Sequence, residues 1–276
     1  MRFNGGFMKK LKHSPLLETI LELRWTTKEH VPESFDLGPN ANEPFKADDY
    51  HKIFLLKMYD HLISNGYPEY SELPQAGVPE EYAANLVQHR FTQEESGWPM
   101  VQFGPGILTL NDTKSYDWLD YKERAINLAK TLYEIHPKKE KVKFTDIVLR
   151  YINSVPFNFE EGNLLDFLAT NLKVNVGFDQ EVIDHAGVTN SPRVFNFLTV
   201  LNSIEPVGQL YVTINRGLHE DQESIIWELM FRASVNSFPT NAQEFEVWIE
   251  GAHQVIDRWF KKSIEGELER RFGGYE

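Results

Sequence analysis

From Leu16 to Thr26 the chain alternates. Leu17, Thr19, Leu21, Leu23 and Trp25 fall on one side, and Glu18, Ile20, Glu22 and Arg24 on the other. A period of two is that of a half-buried β-strand. Strand-like patterns recur at residues 88–93, 100–103, 107–110, 144–154, 193–201, 208–215 and 224–235, with a short one at 174–178. The last three long strands have short connections, at Glu205-Pro206 and at residues 216–221, so an antiparallel meander is expected rather than a βαβ unit. Gly104-Pro105-Gly106 reads as a turn between two strands.

Helical spacing appears in four places. Ile53, Leu56, Tyr59, Leu62 and Ile63 predict a helix capped by Asp48 or Asp49 and closed by Asn65-Gly66. Further helices are expected over Trp118–Ile135, ending before Pro137, and over Leu164–Asn171. The clearest is the last. Thr240 is placed as its N-cap and Gln243 as the partner of a capping box. Phe245, Trp248, Ile249, Ala252, Val255, Ile256, Trp259, Phe260, Ile264 and Leu268 then recur until Gly273-Gly274, a run of roughly 45 Å at about 1.5 Å per residue. Residues 32–44 and 67–79 are proline-containing connections.

These patterns predict an α+β fold: largely antiparallel sheet packed by helices, with a long C-terminal helix. Element order repeats as strand, helix, strands, helix, dividing the chain into halves 1–138 and 139–276, or a single compact unit with duplicated halves. Leu23-Arg24-Trp25 matches Leu149-Arg150-Tyr151. Leu108-Thr109-Leu110-Asn111 matches Val212-Thr213-Ile214-Asn215.

Composition narrows the function classes. The 276 residues include 19 Phe, 11 Tyr and 6 Trp, a globular composition. A formal net charge of −13 disfavours nucleic acid as a partner, despite the basic runs at 9–12 and 138–141. With no cysteine, disulfides, thiolate metal sites and cysteine nucleophiles are excluded, and a cytoplasmic location is expected. No signal-peptide core or apolar membrane span is apparent; Met8 is an alternative start to Met1.

Signatures of catalysis are missing. Gly104-Pro105-Gly106 lacks phosphate-loop spacing, and there is neither a His-Glu-x-x-His pattern nor a Gly-x-Ser-x-Gly elbow. The candidate ligand-binding residues are Arg24 and Arg150 in mid-strand, with Glu18 and Glu22 beside the first, and His253 on the last helix. Two guanidinium forks on one sheet face could hold a phosphate or carboxylate. Internal pairing with Glu18 and Glu22 is the competing explanation. His253 and Asp257 have helical metal-ligand spacing but no third ligand, so neither metal nor other cofactor is expected.

Several blocks together resemble a sporadically distributed family of uncharacterised prokaryotic proteins. They are Pro15-Leu16-Leu17-Glu18 with Glu22-Leu23-Arg24-Trp25, Gln102-Phe103-Gly104-Pro105-Gly106 with Asn111, Leu149-Arg150-Tyr151-Ile152-Asn153, and Trp248-Ile249 with Ala252-His253. They span nearly the whole chain. The resemblance implies no established reaction; the family's scattered occurrence implies a defence or toxin–antitoxin-like locus. Two functions follow as expectations. One is a non-enzymatic binding protein with a protein partner. The other is an enzyme for a small anionic, phosphorylated or nucleotide substrate, with Arg24 and Arg150 binding the anion and Glu18, Glu22 or His253 moving protons.

Overall fold

The computed structural model describes residues 11–27, 50–79, 82–93, 97–113, 116–189, 192 and 194–275. The expected loop at 32–44, the caps at Asp48 or Asp49, the first two residues of the basic run at 9–12 and both candidate start residues lie outside these. The elements are β1 (Leu16–Thr26), α1 (His51–Ser64), β2 (Glu69–Glu72), β3 (His89–Thr92), β4 (Met100–Gly104), β5 (Ile107–Asp112), α2 (Trp118–Ile135), β6 (Lys143–Pro156), α3 (Leu164–Asn171), α4 (Gln180–Ala186), β7 (Asn196–Ser203), β8 (Gly208–His219), β9 (Gln222–Ala233), α5 (Ala242–Ile264) and α6 (Glu267–Arg271). The fold is α+β. Among the described residues no helix is long and apolar enough to cross a membrane.

All nine strands join one antiparallel sheet in the order β2-β3-β4-β5-β1-β6-β9-β8-β7. β1 and β6 lie side by side at its middle, with Leu21 opposite Leu149 and Leu23 opposite Ile147. Outward from them the order mirrors: β5, β4, β3 on one flank and β9, β8, β7 on the other. Arg24 and Arg150 therefore sit on corresponding strands. One predicted match changes. The strand corresponding to β5 in this order is β9, not β8, so Leu108-Thr109-Leu110-Asn111 and Val212-Thr213-Ile214-Asn215 do not occupy equivalent places. Apolar alternation is common to all such strands, and pairing order decides equivalence.

The alternation of β1 extends sideways through the register. Leu21, Leu23 and Trp25 share their face with Leu108, Leu110, Phe103, Ile147, Leu149, Tyr151, Leu229 and Phe231, all buried. Helices α1, α2 and α5 cover this face. Phe54 of α1 meets Trp25 and Phe103 edge-on, the Tyr121 hydroxyl of α2 donates to the Leu110 carbonyl at 2.9 Å, and Trp248 of α5 packs against Phe231. Burial of Trp248, Ile249 and Ile256 contributes about 1.5–3 kcal/mol each. Val255 and Trp259 are only partly buried against the same core.

The helix ends differ from expectation. Asn241, not Thr240, caps α5: its side chain accepts from the Glu244 amide at 3.0 Å, while the Glu244 carboxylate accepts from the amide and hydroxyl of Thr240. The box forms one residue later than predicted because Glu244, one position beyond Gln243, is the acidic partner. The apolar run also does not form one helix. Gly266, at φ 112°, breaks it after Ile264, so α5 is about 35 Å long and Leu268 belongs to α6. On α1 the buried stripe is His51, Phe54, Met58 and Leu62, whereas Ile53 and Leu56 are exposed. This helix carries apolar residues on two faces, and only contact with the sheet chooses between them. Residues 174–178 form no strand, and α4 was not anticipated. The connection expected at 216–221 shrinks to Glu220-Asp221, both at positive φ as a two-residue hairpin turn requires.

The β4–β5 turn requires glycine twice. Gly106 has φ 76°, and a Cβ on Gly104 would lie 1.8 Å from the Leu86 carbonyl oxygen. Gly104→Ala is expected to lower unfolding free energy by about 1–3 kcal/mol, since main chain rather than a side chain must move. Gly77→Ala, with nothing within 4 Å, should change it far less. Urea denaturation of the two variants checks the contrast.

Candidate functional site

Four of the five candidate residues share the sheet face opposite the helices. Arg24 and Glu22 form an ion pair at 2.7 Å, two residues apart on β1. Glu18 accepts from the Asn111 amide at 2.7 Å, and Asn111 accepts in turn from the Thr109 hydroxyl. Arg150 lies 3.2 Å from Glu228 on the neighbouring β9 and donates to the Met230 sulfur at 3.5 Å; its Nε makes no aligned hydrogen bond among the described residues. A third pair sits between them: Arg232 of β9 donates to Asp146 of β6 at 2.7 Å. Burial pushes the Asp146 carboxyl up, and the Arg232 guanidinium opposes that shift.

Register decides whether the two predicted arginines cooperate. Arg24 is opposite Asp146, and Arg150 is opposite Ile20. Four residues of strand separate those positions, roughly 13 Å at about 3.3 Å per residue. The two forks are therefore not neighbours on the sheet. Each is instead matched to a carboxylate of its own. Asp146, Glu228 and Arg232 were missed from the sequence. Their charge was visible, but nothing local shows that β9 pairs with β6.

His253 is on the other side of the sheet. It stacks on Trp118 of α2 at 3.7 Å between ring centres, and its Nδ1 is 2.8 Å from the Tyr151 hydroxyl. Tyr151 also bonds the Tyr116 hydroxyl at 2.7 Å. This chain of polar groups ties β6 to both large helices, where Lys122 and Glu250 also pair at 3.0 Å. Burial pushes the tyrosine hydroxyls up and lowers the His253 imidazole to about 4, against the pull of Asp257 and Glu250. Asp257 pairs with Lys261. Among the described residues no group of three or more His, Cys, Asp or Glu is placed to hold a metal ion. The sheet thus separates the five candidates, and they do not converge on one reacting atom.

The sequence also did not reveal an apolar edge. β7 ends the sheet, with its outer main-chain groups unpaired among the described strands. It carries no charge, and Leu198 and Val200 are 60% and 42% exposed. Just beyond it, Ile204 is 91% exposed, and the same turn contributes Pro206 and Val207 to a shallow cleft of about 290 Å³ whose lining also includes Phe238, Trp248, Ser237 and the acidic Glu244. The uncharged run was legible. It reads the same as a central strand, which is apolar on both faces because both are covered.

Two measurements follow. Arg232→Met is expected to cost about 2 kcal/mol, because Asp146 is left largely buried beside one fewer cation, while Arg24→Met costs less than about 1 kcal/mol, because the Glu22 side chain is 22% exposed against 10% for Asp146. Urea melts test that ordering. For His253 the folded-state value lies below the unfolded one, so the unfolded chain binds its proton first as pH falls. The contribution is complete above about pH 6.5, declines toward pH 4 and is level below it, a loss on the order of 3 kcal/mol. His253→Asn should flatten stability against pH over that window.

No protein-family model matches this chain, and no curated protein is significantly similar to it.

Proposed function

We propose that this chain is a non-enzymatic interaction protein that takes a protein partner by strand addition at β7. The observation that carries this is the eight-residue uncharged edge with exposed apolar side chains. Natural sheets usually protect such edges with charge, proline or brevity, and an unprotected one is a template for another strand. The turn that follows β7 contributes Pro206 and Val207 to a cleft that offers an anchor pocket near its end. The paired charges on the polar face, and the burial of His253 behind the sheet, weigh against assembled catalysis.

A partner bound by main-chain pairing suits a component of a prokaryotic defence or toxin–antitoxin-like locus, the setting implied by the family resemblance. We assign it to the cytoplasm on its lack of cysteine. The mirrored strand order, with a large helix following β5 and β9 alike, supports an origin by duplication of one half.

Affinity capture of the partner by purified wild type and variants tests the assignment. Val200→Lys, which places a charge on the exposed edge, should abolish capture at unchanged melting temperature. Arg24→Met and Arg150→Met should retain it, and none should turn over nucleotides, esters or phosphoesters. Turnover by wild type that is lost in folded Arg150→Met would instead establish the enzyme acting on an anionic substrate.

A further inference from the structure

Resting on that strand-addition reading, we infer that the occupant of β7 is β7 of a second copy, in a two-fold dimer centred on Thr199. In an antiparallel pair, directly opposite residues either both point their main-chain groups into the shared edge or both point them away. Alternate residues of β7 face β8 and the outer edge. A two-fold axis between two β7 strands must therefore place one residue opposite its own copy.

About Thr199 the residue classes repeat in reverse. Leu198 meets Val200 of the other copy, Phe197 meets Leu201, and Asn196 meets Asn202. Only Phe195 opposite Ser203 breaks the match. The faces agree as well. Leu198 and Val200 lie on the polar side of the sheet, opposite Thr213 and Tyr211 of β8, whereas Phe197 and Leu201 lie on the helix side, opposite Ile214 and Leu210. Asn202 already accepts from Gln209 at 3.3 Å, which leaves its amide NH₂ to donate to Asn196 of the other copy. Self-complementarity of this kind is what an isologous interface requires.

The two sheet edges are unequal. The opposite edge, β2, has four residues, Glu69-Tyr70-Ser71-Glu72, flanked by its own carboxylates. Between Val194 and Ile204 there is no Asp, Glu, Lys, Arg or Pro. Pairing through β7 therefore joins two nine-stranded sheets and leaves short acidic edges outside, so assembly stops at two.

Sedimentation of the purified chain over rising concentration tests this. A species of twice the 32.1 kDa chain mass is expected. Each copy carries −13, so added salt should strengthen association, whereas a basic heterologous partner would be weakened by it. Val200→Lys should weaken dimerisation at least about tenfold in a chain that stays folded, as its far-UV circular dichroism reads. The chain has no cysteine, so Thr199→Cys can crosslink only across the axis. Opposite Cα atoms of a strand pair, about 4.5–5.5 Å apart, lie within disulfide reach. Mild oxidation should crosslink Thr199→Cys and leave Leu218→Cys, on the β8–β9 hairpin, as single chains. A wild type that stays monomeric at every concentration, or a dimer in which Thr199→Cys fails to crosslink, overturns the inference. If a monomeric chain still captures a separate partner through Val200, strand addition stands and only self-pairing falls. Capture indifferent to Val200→Lys overturns strand addition itself.

Discussion

The pairing of β1 with β6 organises the molecule. These two strands are the middle of the sheet, and every other strand takes its place outward from one or the other. Their register puts Leu21, Leu23, Leu149 and Tyr151 on one face and Glu22, Arg24, Asp146 and Arg150 on the other. A slip of one residue would send charges into the helix layer and leucines to the polar face. The apolar face then attracts α2 and α5, which pack against each other above it. The polar face arranges its own ion pairs.

That division places the chemistry-bearing side chains on opposite sides of the sheet. His253 is held neutral among aromatic rings between two helices, where its bond to Tyr151 fixes α5 over β6. The arginines sit across the sheet, each beside a carboxylate. Such a polar seam makes α5 specific in its seating, because a shifted helix would strand the Tyr151 and Tyr116 hydroxyls in apolar surroundings.

The least protected part of the sheet is its margin. An open antiparallel sheet of nine strands has two edges, and this one protects only β2. At the other edge β7 exposes apolar side chains and an outer main chain that is unpaired among the described strands. Binding energy at such a surface comes from main-chain hydrogen bonds, and side-chain matching sets register and partner.

Much of the local structure was legible in the sequence. The bounds of β1, α2 and α3 follow from alternation, helical spacing and caps, because those signals act between residues a few positions apart. The antiparallel meander of β7, β8 and β9 followed from short connections for the same reason. Arg24, Glu18 and Glu22 could be placed together on one strand face. Contacts between distant segments could not be read this way. Nothing in β9 marks Arg232 as the partner of Asp146, nothing in α1 says which apolar face meets the sheet, and nothing in β7 distinguishes an edge from a centre. The sequence by itself determined an α+β chain, its strands and its long final helix, since periodicity and capping are local properties. Only the tertiary structure decided that the two arginines stand about four residues apart in register, that His253 lies behind the sheet, and that an uncharged strand is left at its edge. Those outcomes depend on strand order and pairing, which are set by burial summed over the whole sheet.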